Sequence, residues 1–231
     1  MEKIPACLAL LLFALCTPAQ TREGLAMRCT VPPAKPAPAD ELVRPKSMQE
    51  NERFRSAPHG VRRIGSHQLE VTWTGGKKVF TDKAPYNEPH DGIWWSYCGY
   101  EPKLGLHLLL KQDNYVFTGK LLDDRSGDVL PGGHVVLFSP DMKYYLAYEQ
   151  PDGQDGETIR LHTRNGTLLW KGFNGILSPD GITLVADFER MEWDLQNRPR
   201  ASGRLENGKT FTVTLTQGSN GKWEWLPHVD R

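Results

Sequence analysis

The sequence predicts an all-β protein built from tandem antiparallel sheets. The chain of 231 residues contains 22 Gly, seven Trp and seven Tyr, a composition that suits strands joined by tight turns. From about residue 60 onward, short segments recur in which every second residue is apolar, which is the period of a half-buried strand. A stretch of 23 residues that begins at Arg125 returns 39 residues later, at Arg164.

The two copies of this stretch are RSGDVLPGGHVVLFSPDMKYYLA (125–147) and RNGTLLWKGFNGILSPDGITLVA (164–186), which share eight identical positions when aligned without a gap. Each copy begins with a turn that contains Gly, followed by a short apolar strand and a second Gly. A second strand then leads into Ser-Pro-Asp, a sequence that favours a tight turn, and a third strand follows. A period of about 40 residues is typical of the four-stranded blades of propellers.

The second turn, Leu177-Ser178-Pro179-Asp180-Gly181, resembles the S-P-D-G-x-x-[ILV]-[AV] repeat of the WD40-like propeller family found in TolB-type periplasmic proteins. The resemblance covers roughly residues 125–188, and the first copy departs from it at Met142, where Gly is usual. It implies a propeller-like arrangement of the sheets. Residues 60–229 provide only about four blades of this length, the low end for ring closure, so an incomplete propeller or a β-sandwich is the alternative.

Residues 1–19 have the pattern of a secretory signal peptide. Lys3 precedes an apolar run from Ile4 to Cys16, which is shorter than the roughly 20 residues that span a bilayer. Cleavage after Ala19 leaves a mature chain that starts at Gln20, contains no transmembrane segment and is periplasmic or secreted. The alternative is a lipoprotein acylated at Cys16, although Leu15 is larger than the residue usual before such a cysteine.

Cys29 and Cys98 are the two cysteines that remain after this cleavage. An even number of cysteines in an exported chain predicts a disulfide between them. The alternatives are two free thiols, or Cys98 as a nucleophile.

Residues 20–59 are expected to form an extended, Pro-rich arm, since six Pro and alternating charges from residue 30 to 60 leave no apolar period. A short helix is possible over Ser47–Phe54, with Ser47 as its cap and Glu50 three residues on. Residues 60–231 then form the β-repeat domain.

The strands of this domain can be followed in order. Residues 67–74 alternate apolar and polar side chains and lead into the turn Gly75-Gly76. Residues 93–100 form a dense aromatic strand, and the repeat follows. Residues 210–215 alternate again, and residues 223–226 end the fold.

Composition and motifs disfavour several classes of function. The formal net charge is zero, so no basic surplus is present to bind a nucleic acid. The chain contains no H-E-x-x-H zinc motif, no G-x-S-x-G nucleophile elbow and no Gly-rich phosphate loop. No carboxylate pair stands out as that of a glycosidase. We therefore name no catalytic residue and no cofactor.

Asp152, Asp155 and Glu157 are the best metal candidates. Three carboxylates within six residues of a Gly-rich loop could bind Ca²⁺ through their oxygens, although the spacing differs from that of an EF-hand. The alternative is an ordinary solvated hairpin loop.

Trp94, Trp95, Tyr97 and Tyr100 are the candidate binding residues. Adjacent Trp94 and Trp95 must point to opposite sides of their strand, so one of them has to be covered or exposed. An exposed Trp beside Tyr suits contact with a protein or a sugar. Burial by the arm is the structural alternative.

These observations predict a non-enzymatic binding protein of the cell envelope that recognises a protein partner. Its size suits an inhibitor or immunity protein directed against an enzyme that attacks the envelope. The alternatives are a carbohydrate- or Ca²⁺-binding structural module, and a cell-wall hydrolase whose carboxylates the sequence does not single out.

Overall fold

The computed structural model describes residues 21–22, 24–29, 48–85, 92–113, 116–150, 157–173 and 175–230. This part of the chain is all-β, with strands as its main element and one helix of eight residues, which confirms the predicted fold class. The predicted signal peptide, residues 30–47 of the predicted arm, and Asp152 and Asp155 lie outside the described residues.

Four antiparallel sheets follow one another along the described chain. The first sheet contains β3 (Val61–Ile64), β4 (Gln68–Trp73) and β5 (Gly76–Thr81). The second contains β6 (Ile93–Glu101), β7 (Leu106–Asp113), β8 (Val116–Asp123) and β9 (Val129–Gly132). The third contains β10 (Val135–Phe138), β11 (Tyr144–Glu149), β12 (Thr158–Thr163) and β13 (Leu168–Phe173). The fourth contains β14 (Gly175–Leu177), β15 (Thr183–Asp194), β16 (Pro199–Leu205), β17 (Thr210–Gln217) and β18 (Trp223–Leu226).

Three hydrophobic cores lie between neighbouring sheets, and the alternation of side chains along each strand supplies them. In the second sheet, Leu109 packs in the core shared with the first sheet, while Leu108 and Leu110 pack in the core shared with the third. In the third sheet, Tyr145 faces the second sheet and Leu146 faces the fourth. The two inner sheets are therefore each buried on both faces.

A short N-terminal segment, residues 21–29, ties three of these sheets together. β1 (Thr21–Arg22) pairs with the end of β15 in the fourth sheet, and β2 (Ala26–Arg28) pairs with β10 in the third. Cys29 then forms a disulfide with Cys98 on β6 of the second sheet, as the sequence predicts. We call residues 21–29 the N-terminal strap. Sequence analysis assigned these residues to an extended arm; here their backbone is added to the edges of existing sheets.

Gly24 lets the N-terminal strap pass between the third and fourth sheets. A Cβ at this position would lie 1.9 Å from the carbonyl oxygen of Phe138 and 3.1 Å from the Trp193 ring. No side chain fits in that space, so the strap can connect the two sheets only with Gly at this position.

The helix α1 (Met48–Arg55) lies where sequence analysis predicts a short helix, and it is fastened to β6 by a buried polar network. Glu50 accepts hydrogen bonds from the backbone N–H of Tyr97 (3.1 Å) and from the Arg63 guanidinium (3.0 Å). Arg63 also donates to the completely buried Asp82 carboxylate and to the carbonyl of Trp95. Asp82 in turn accepts from the N–H of Trp95 at 2.7 Å. Arg63 thus pairs with two acidic groups between the helix and the first two sheets.

The two Ser-Pro-Asp turns of the sequence repeat share their internal hydrogen bonds. Each Ser hydroxyl donates to the Asp carboxylate two residues on, and the fourth residue of each turn donates its N–H to the Ser carbonyl at 2.9 Å. That fourth residue has a left-handed backbone in both copies, with φ of 59° at Met142 and 80° at Gly181. Met142 therefore adopts the conformation for which the second copy supplies Gly.

Beyond these turns the two copies differ by one residue. The backbone N–H of Ser139 bonds to Tyr144, whereas that of Ser178 bonds to Ile182, so the first loop is one residue longer. In the first copy, Val136 pairs with Ala147. In the second copy, the equivalent of Val136 is Gly175, and it pairs with Val185 instead of Ala186. The gap-free alignment thus holds up to Ser-Pro-Asp and shifts by one residue after it. A propeller-like arrangement of the four sheets stays a prediction.

Candidate functional site

β14 and β15 form a hairpin whose outer edge is not covered by a strand. β14 pairs with β15 through Gly175–Leu177, and among the described residues no strand pairs with its other edge, where the Leu177 carbonyl accepts a single hydrogen bond from the N–H of Val229 at 3.0 Å. An open edge presents backbone N–H and C=O groups to which a further strand can bond. We call β14 and β15 up to Val185, together with the preceding Phe173, the edge hairpin.

The corresponding strand in the third sheet, β10, is covered. It too runs into a Ser-Pro-Asp turn, but its outer edge pairs with β2 of the N-terminal strap, Val136 lying opposite Met27. The same chain thus shows how an extended segment of three residues, Ala26–Arg28, docks on this type of strand. β14 has the same position in the repeat and has no such partner strand within the described residues, although Val229 donates one hydrogen bond to its last residue, Leu177.

Three large apolar side chains of the edge hairpin are exposed to solvent: Phe173 by 53%, Ile182 by 47% and Val185 by 59%. Val185 lies on the face of β15 that points away from the core shared with the third sheet, and the residue opposite it on β14 is Gly175, which adds no side chain to that face. The Lys171 ammonium lies 5.4 Å from the centre of the Phe173 ring, a cation–π contact that leaves much of the ring exposed. Clustered apolar exposure of this kind indicates an interaction surface.

Sequence analysis did not single out these residues, although one signal was present. Gly175 stands 39 residues after Val136, where the first copy of the repeat has a fully buried side chain. The second copy therefore has no side chain beside Val185 at this position of β14. The signal becomes visible only once the two strands are known to pair at this register.

Two other edge strands, β5 and β9, carry residues that discourage pairing, whereas β6 and β18 contain neither Lys nor Pro. β5, at the end of the first sheet, exposes Val79 but also Lys77 and Lys78, and β9 contains Pro131. Lysine and proline on an edge strand oppose the addition of another strand. β14, whose sequence is Gly-Ile-Leu, contains neither.

The predicted aromatic binding residues are largely packed within the protein. Tyr97 is completely buried, and Trp95 packs against Phe80 with ring centres 4.8 Å apart, in the core between the first and second sheets. Trp94 is half-buried, with its ring 6.4 Å from that of His67, and Tyr100 lies 4.8 Å from the His107 ring. Neighbours of these side chains come from the first sheet and from α1, which belongs to the predicted arm: Phe54 of α1 lies 5.8 Å from the Tyr97 ring.

Tyr97 begins a chain of polar contacts that leads toward the surface. Its hydroxyl lies 2.9 Å from Nδ1 of His107, whose Nε2 lies 3.1 Å from the Asp124 carboxylate. Asp124 lies 3.4 Å from Nε2 of His59, a side chain that is 40% exposed. A neutral His107 satisfies both neighbours, because it accepts from Tyr97 and donates to Asp124.

Burial controls the protonation of this chain. Desolvation lowers the pKa of His107, although Asp124 opposes the shift, and desolvation raises the pKa of Tyr97. Tyr97 and His107 have no exposed surface, so a substrate cannot reach them. The contacts fit a buried hydrogen-bond network that fixes the loop around His59 and the strand β7 against one another.

The predicted Ca²⁺ site is only partly described. Glu157 accepts a hydrogen bond from the His134 imidazole at 2.9 Å, and Asp152 and Asp155 lie outside the described residues. Within the described ranges, no three His, Cys, Asp or Glu side chains are grouped as a metal ion requires.

Comparison of the chain with family models, with curated proteins and with solved structures found no match. In the part of the chain that the structure describes, no helix has the length and apolar character needed to cross a membrane.

Proposed function

We propose that this chain is an exported, non-enzymatic binding protein that recognises a protein partner through the edge hairpin. The observation that carries the proposal is the contrast between two equivalent strands. β10 is completed by an extended segment of the same chain, whereas β14 has no partner strand on its outer edge among the described residues, where one hydrogen bond from Val229 reaches Leu177, and lies beside exposed apolar side chains.

An extended segment of a partner would add to β14 as β2 adds to β10. In this mode of recognition, main-chain hydrogen bonds align the added strand, and side-chain contacts select the partner. Val185 and Phe173 supply apolar contact area, and aromatic residues such as Phe are enriched at the centre of protein interfaces.

The disulfide supports export. Cys29 and Cys98 are bonded, and bonds of this kind form and persist in the periplasm or outside the cell. Together with the predicted signal peptide, this favours an exported protein, and Leu15 before Cys16 disfavours the lipoprotein alternative. An inhibitor or immunity protein against an envelope-attacking enzyme is the form of this function that best suits the size of the chain.

The contacts of the titratable groups support a non-enzymatic role. The chain of contacts from Tyr97 to His59 has its inner members closed to solvent. The exposed Thr74 hydroxyl lies 3.3 Å from Nε2 of His59, but the Asp124 carboxylate contacts that same nitrogen at 3.4 Å, so Asp124 does not orient the imidazole through its other nitrogen as the carboxylate of a hydrolase triad does.

The test is affinity isolation from an envelope extract of the source organism with three versions of the full chain. Wild type and Val79→Arg should retain the same stoichiometric partner, and Val185→Arg should lose it. Val79 is a matched control, because it is a valine exposed by 41% on another edge strand. Both substitutions are at exposed positions, and thermal unfolding would verify that both variants fold.

Three results would overturn the proposal. One is equal loss of the partner in both variants, and another is repeated isolation without a stoichiometric partner but with turnover of peptidoglycan fragments. The third is faster proteolysis within residues 30–47 of Val185→Arg alone, which would identify the chain's own arm as the segment that covers β14.

A further inference from the structure

The outer edge of β14 is approached by the segment that follows β18, residues 227–230, which we call the covering segment. The backbone N–H of Val229 donates to the Leu177 carbonyl at 3.0 Å. The Val229 side chain is half-buried against the core between the third and fourth sheets, whereas Pro227, His228 and Asp230 are exposed. The covering segment therefore reaches β14 through Val229.

Leu177 turns its backbone toward this outer edge. The next residue, Ser178, donates its N–H across the hairpin to the Ile182 carbonyl at 2.9 Å. Successive residues of a strand point their backbone groups to opposite edges, so Leu177 and Gly175 both face outward. A strand that adds to the full length of β14 has to bond to the Leu177 carbonyl, and the Val229 N–H lies where the N–H of such a strand would lie.

The first copy of the repeat shows a complete cover of the equivalent strand. Phe138 stands 39 residues before Leu177, and its N–H donates outward to the Leu25 carbonyl at 2.8 Å. From that point the N-terminal strap continues along β10 for three paired residues, Ala26–Arg28. The covering segment meets β14 at the equivalent residue but, within the described chain, forms no strand there. It thus occupies one end of the edge and leaves the rest of β14 without a partner strand.

The covering segment is held by contacts that are easily broken. Lys209, in the turn between β16 and β17, donates from Nζ to the Asp230 carbonyl at 3.0 Å, and Nε2 of His228 lies 3.4 Å from the Glu224 carboxylate. Lys209 and His228 are exposed, and contacts of exposed charged groups contribute little to stability. Segments with few buried contacts open at a low cost in free energy, so the covering segment can leave β14 while the four sheets stay folded.

We propose that the covering segment competes with the protein partner for β14, and that the partner puts an apolar side chain in the place of Val229. This inference rests on the function proposed above. Once the segment has left, an added strand can pair with Leu177 as well as with Gly175, and the place beside the core that Val229 occupied accepts an apolar residue of the partner. An extended segment without that residue leaves this place empty, so the competition selects among partners.

Two substitutions at one position separate the hydrogen bond from the side chain. Val229→Pro removes the N–H that bonds to Leu177, whereas Val229→Ala shortens the side chain and keeps the N–H. Calorimetric titration with the purified protein that wild type retains from the envelope extract should show about fivefold tighter binding by Val229→Pro than by Val229→Ala, because one hydrogen bond no longer opposes binding. Thermal unfolding would verify that both variants fold.

Two lysines of the fourth sheet provide a second, matched comparison. Lys209 and Lys222 are both exposed, and each donates its backbone N–H to the side chain of an Asn two residues earlier in a hairpin turn. Lys209 also bonds through Nζ to the covering segment. Lys209→Ala should therefore bind the partner about twofold more tightly than wild type, and Lys222→Ala should bind it with the affinity of wild type.

The possible results distinguish the competition from the function on which it rests. A partner that is lost in Val185→Arg but binds Val229→Pro no more tightly than Val229→Ala would overturn the competition alone. A partner that Val185→Arg retains, or the absence of any partner, would overturn the proposed function and the competition with it. Hydrogen exchange in the free protein is a further check, because the Val229 amide should exchange more slowly than in an unfolded chain. An unprotected Val229 amide would overturn the competition with or without a partner.

Discussion

Breaking the disulfide should remove a large part of the stability of this protein. Cys29 and Cys98 are separated by 69 residues in the sequence. In the loop-entropy account, a cross-link across that many residues raises the free energy of the unfolded chain by roughly 4.4 kcal/mol at 25 °C. Domains are generally stable by only about 5–15 kcal/mol, so the loss is a substantial fraction of the total.

The bond also has a local consequence. It fixes the end of the N-terminal strap, which is otherwise held by two short strands and by buried Met27. Without the bond, we expect the strap to open before the rest of the molecule, since short strands at a terminus are the least stable part of a sheet. The backbone N–H groups of β2 and β10 should then exchange hydrogen faster than those of β7.

Urea unfolding followed by Trp fluorescence would measure the global effect, with Cys29→Ala/Cys98→Ala compared with wild type. Wild type treated with a reductant is the control, because it lacks the bond but retains both sulfur atoms. The two samples should lose similar stability. A loss of less than about 1 kcal/mol in the free energy of unfolding of both samples would refute the reasoning. A large loss in the double variant alone would also refute it, because the cause would then be the missing sulfur atoms and their packing and not the missing cross-link.

Three further predictions concern particular contacts. Arg63→Met should cost about 3–5 kcal/mol in urea unfolding, because it removes the cation that Glu50 and Asp82 share in a buried setting, whereas Arg62→Met on the surface should cost less than about 1 kcal/mol. Equal costs would contradict this assignment. Asp180→Ala and Asp141→Ala should each cost on the order of 1 kcal/mol, since each removes a bond to the turn serine; a loss at only one of them would count against the equivalence of the turns. Burial lowers the pKa of His107, so the folded state binds fewer protons than the unfolded state, and stability should fall as the pH drops below about 6.5. His107→Gln should reduce the dependence of the free energy of unfolding on pH below about 6.5. An unchanged pH dependence in this variant would contradict a lowered pKa of His107.

Local sequence patterns predicted the elements that depend on local physics. Residues 67–74 and 210–215 alternate apolar and polar side chains, and each forms a strand close to those bounds. Helix α1 begins directly after Ser47, the predicted cap. The disulfide was predictable because Cys29 and Cys98 remain once the first 19 residues are set aside.

Long-range pairing was not predictable from these patterns. β2 pairs with a strand more than 100 residues away, and a run of three residues carries too little pattern to indicate it. Gly24 looks like any loop glycine until the Phe138 carbonyl is known to lie beside it. The open edge of β14 likewise depends on which strand finds a partner, a property of the assembled sheets and not of the segment itself.

The short length of β14 determines how a partner could bind there. Three residues can form only two or three main-chain hydrogen bonds, one of whose acceptors, the Leu177 carbonyl, is already bonded to Val229, and each bond contributes a net stabilisation of about 1 kcal/mol. Association costs at least about 4 kcal/mol in lost freedom of motion, so backbone pairing alone does not give a stable complex. Burial of a Phe or Val side chain contributes roughly 1.5–3 kcal/mol, which makes Phe173 and Val185 the main source of affinity and the strand pairing a means of alignment. The same shortness limits pairing between copies of this protein through β14, because two such edges would align few bonds. A partner that presents apolar side chains on an extended segment is therefore favoured over self-association.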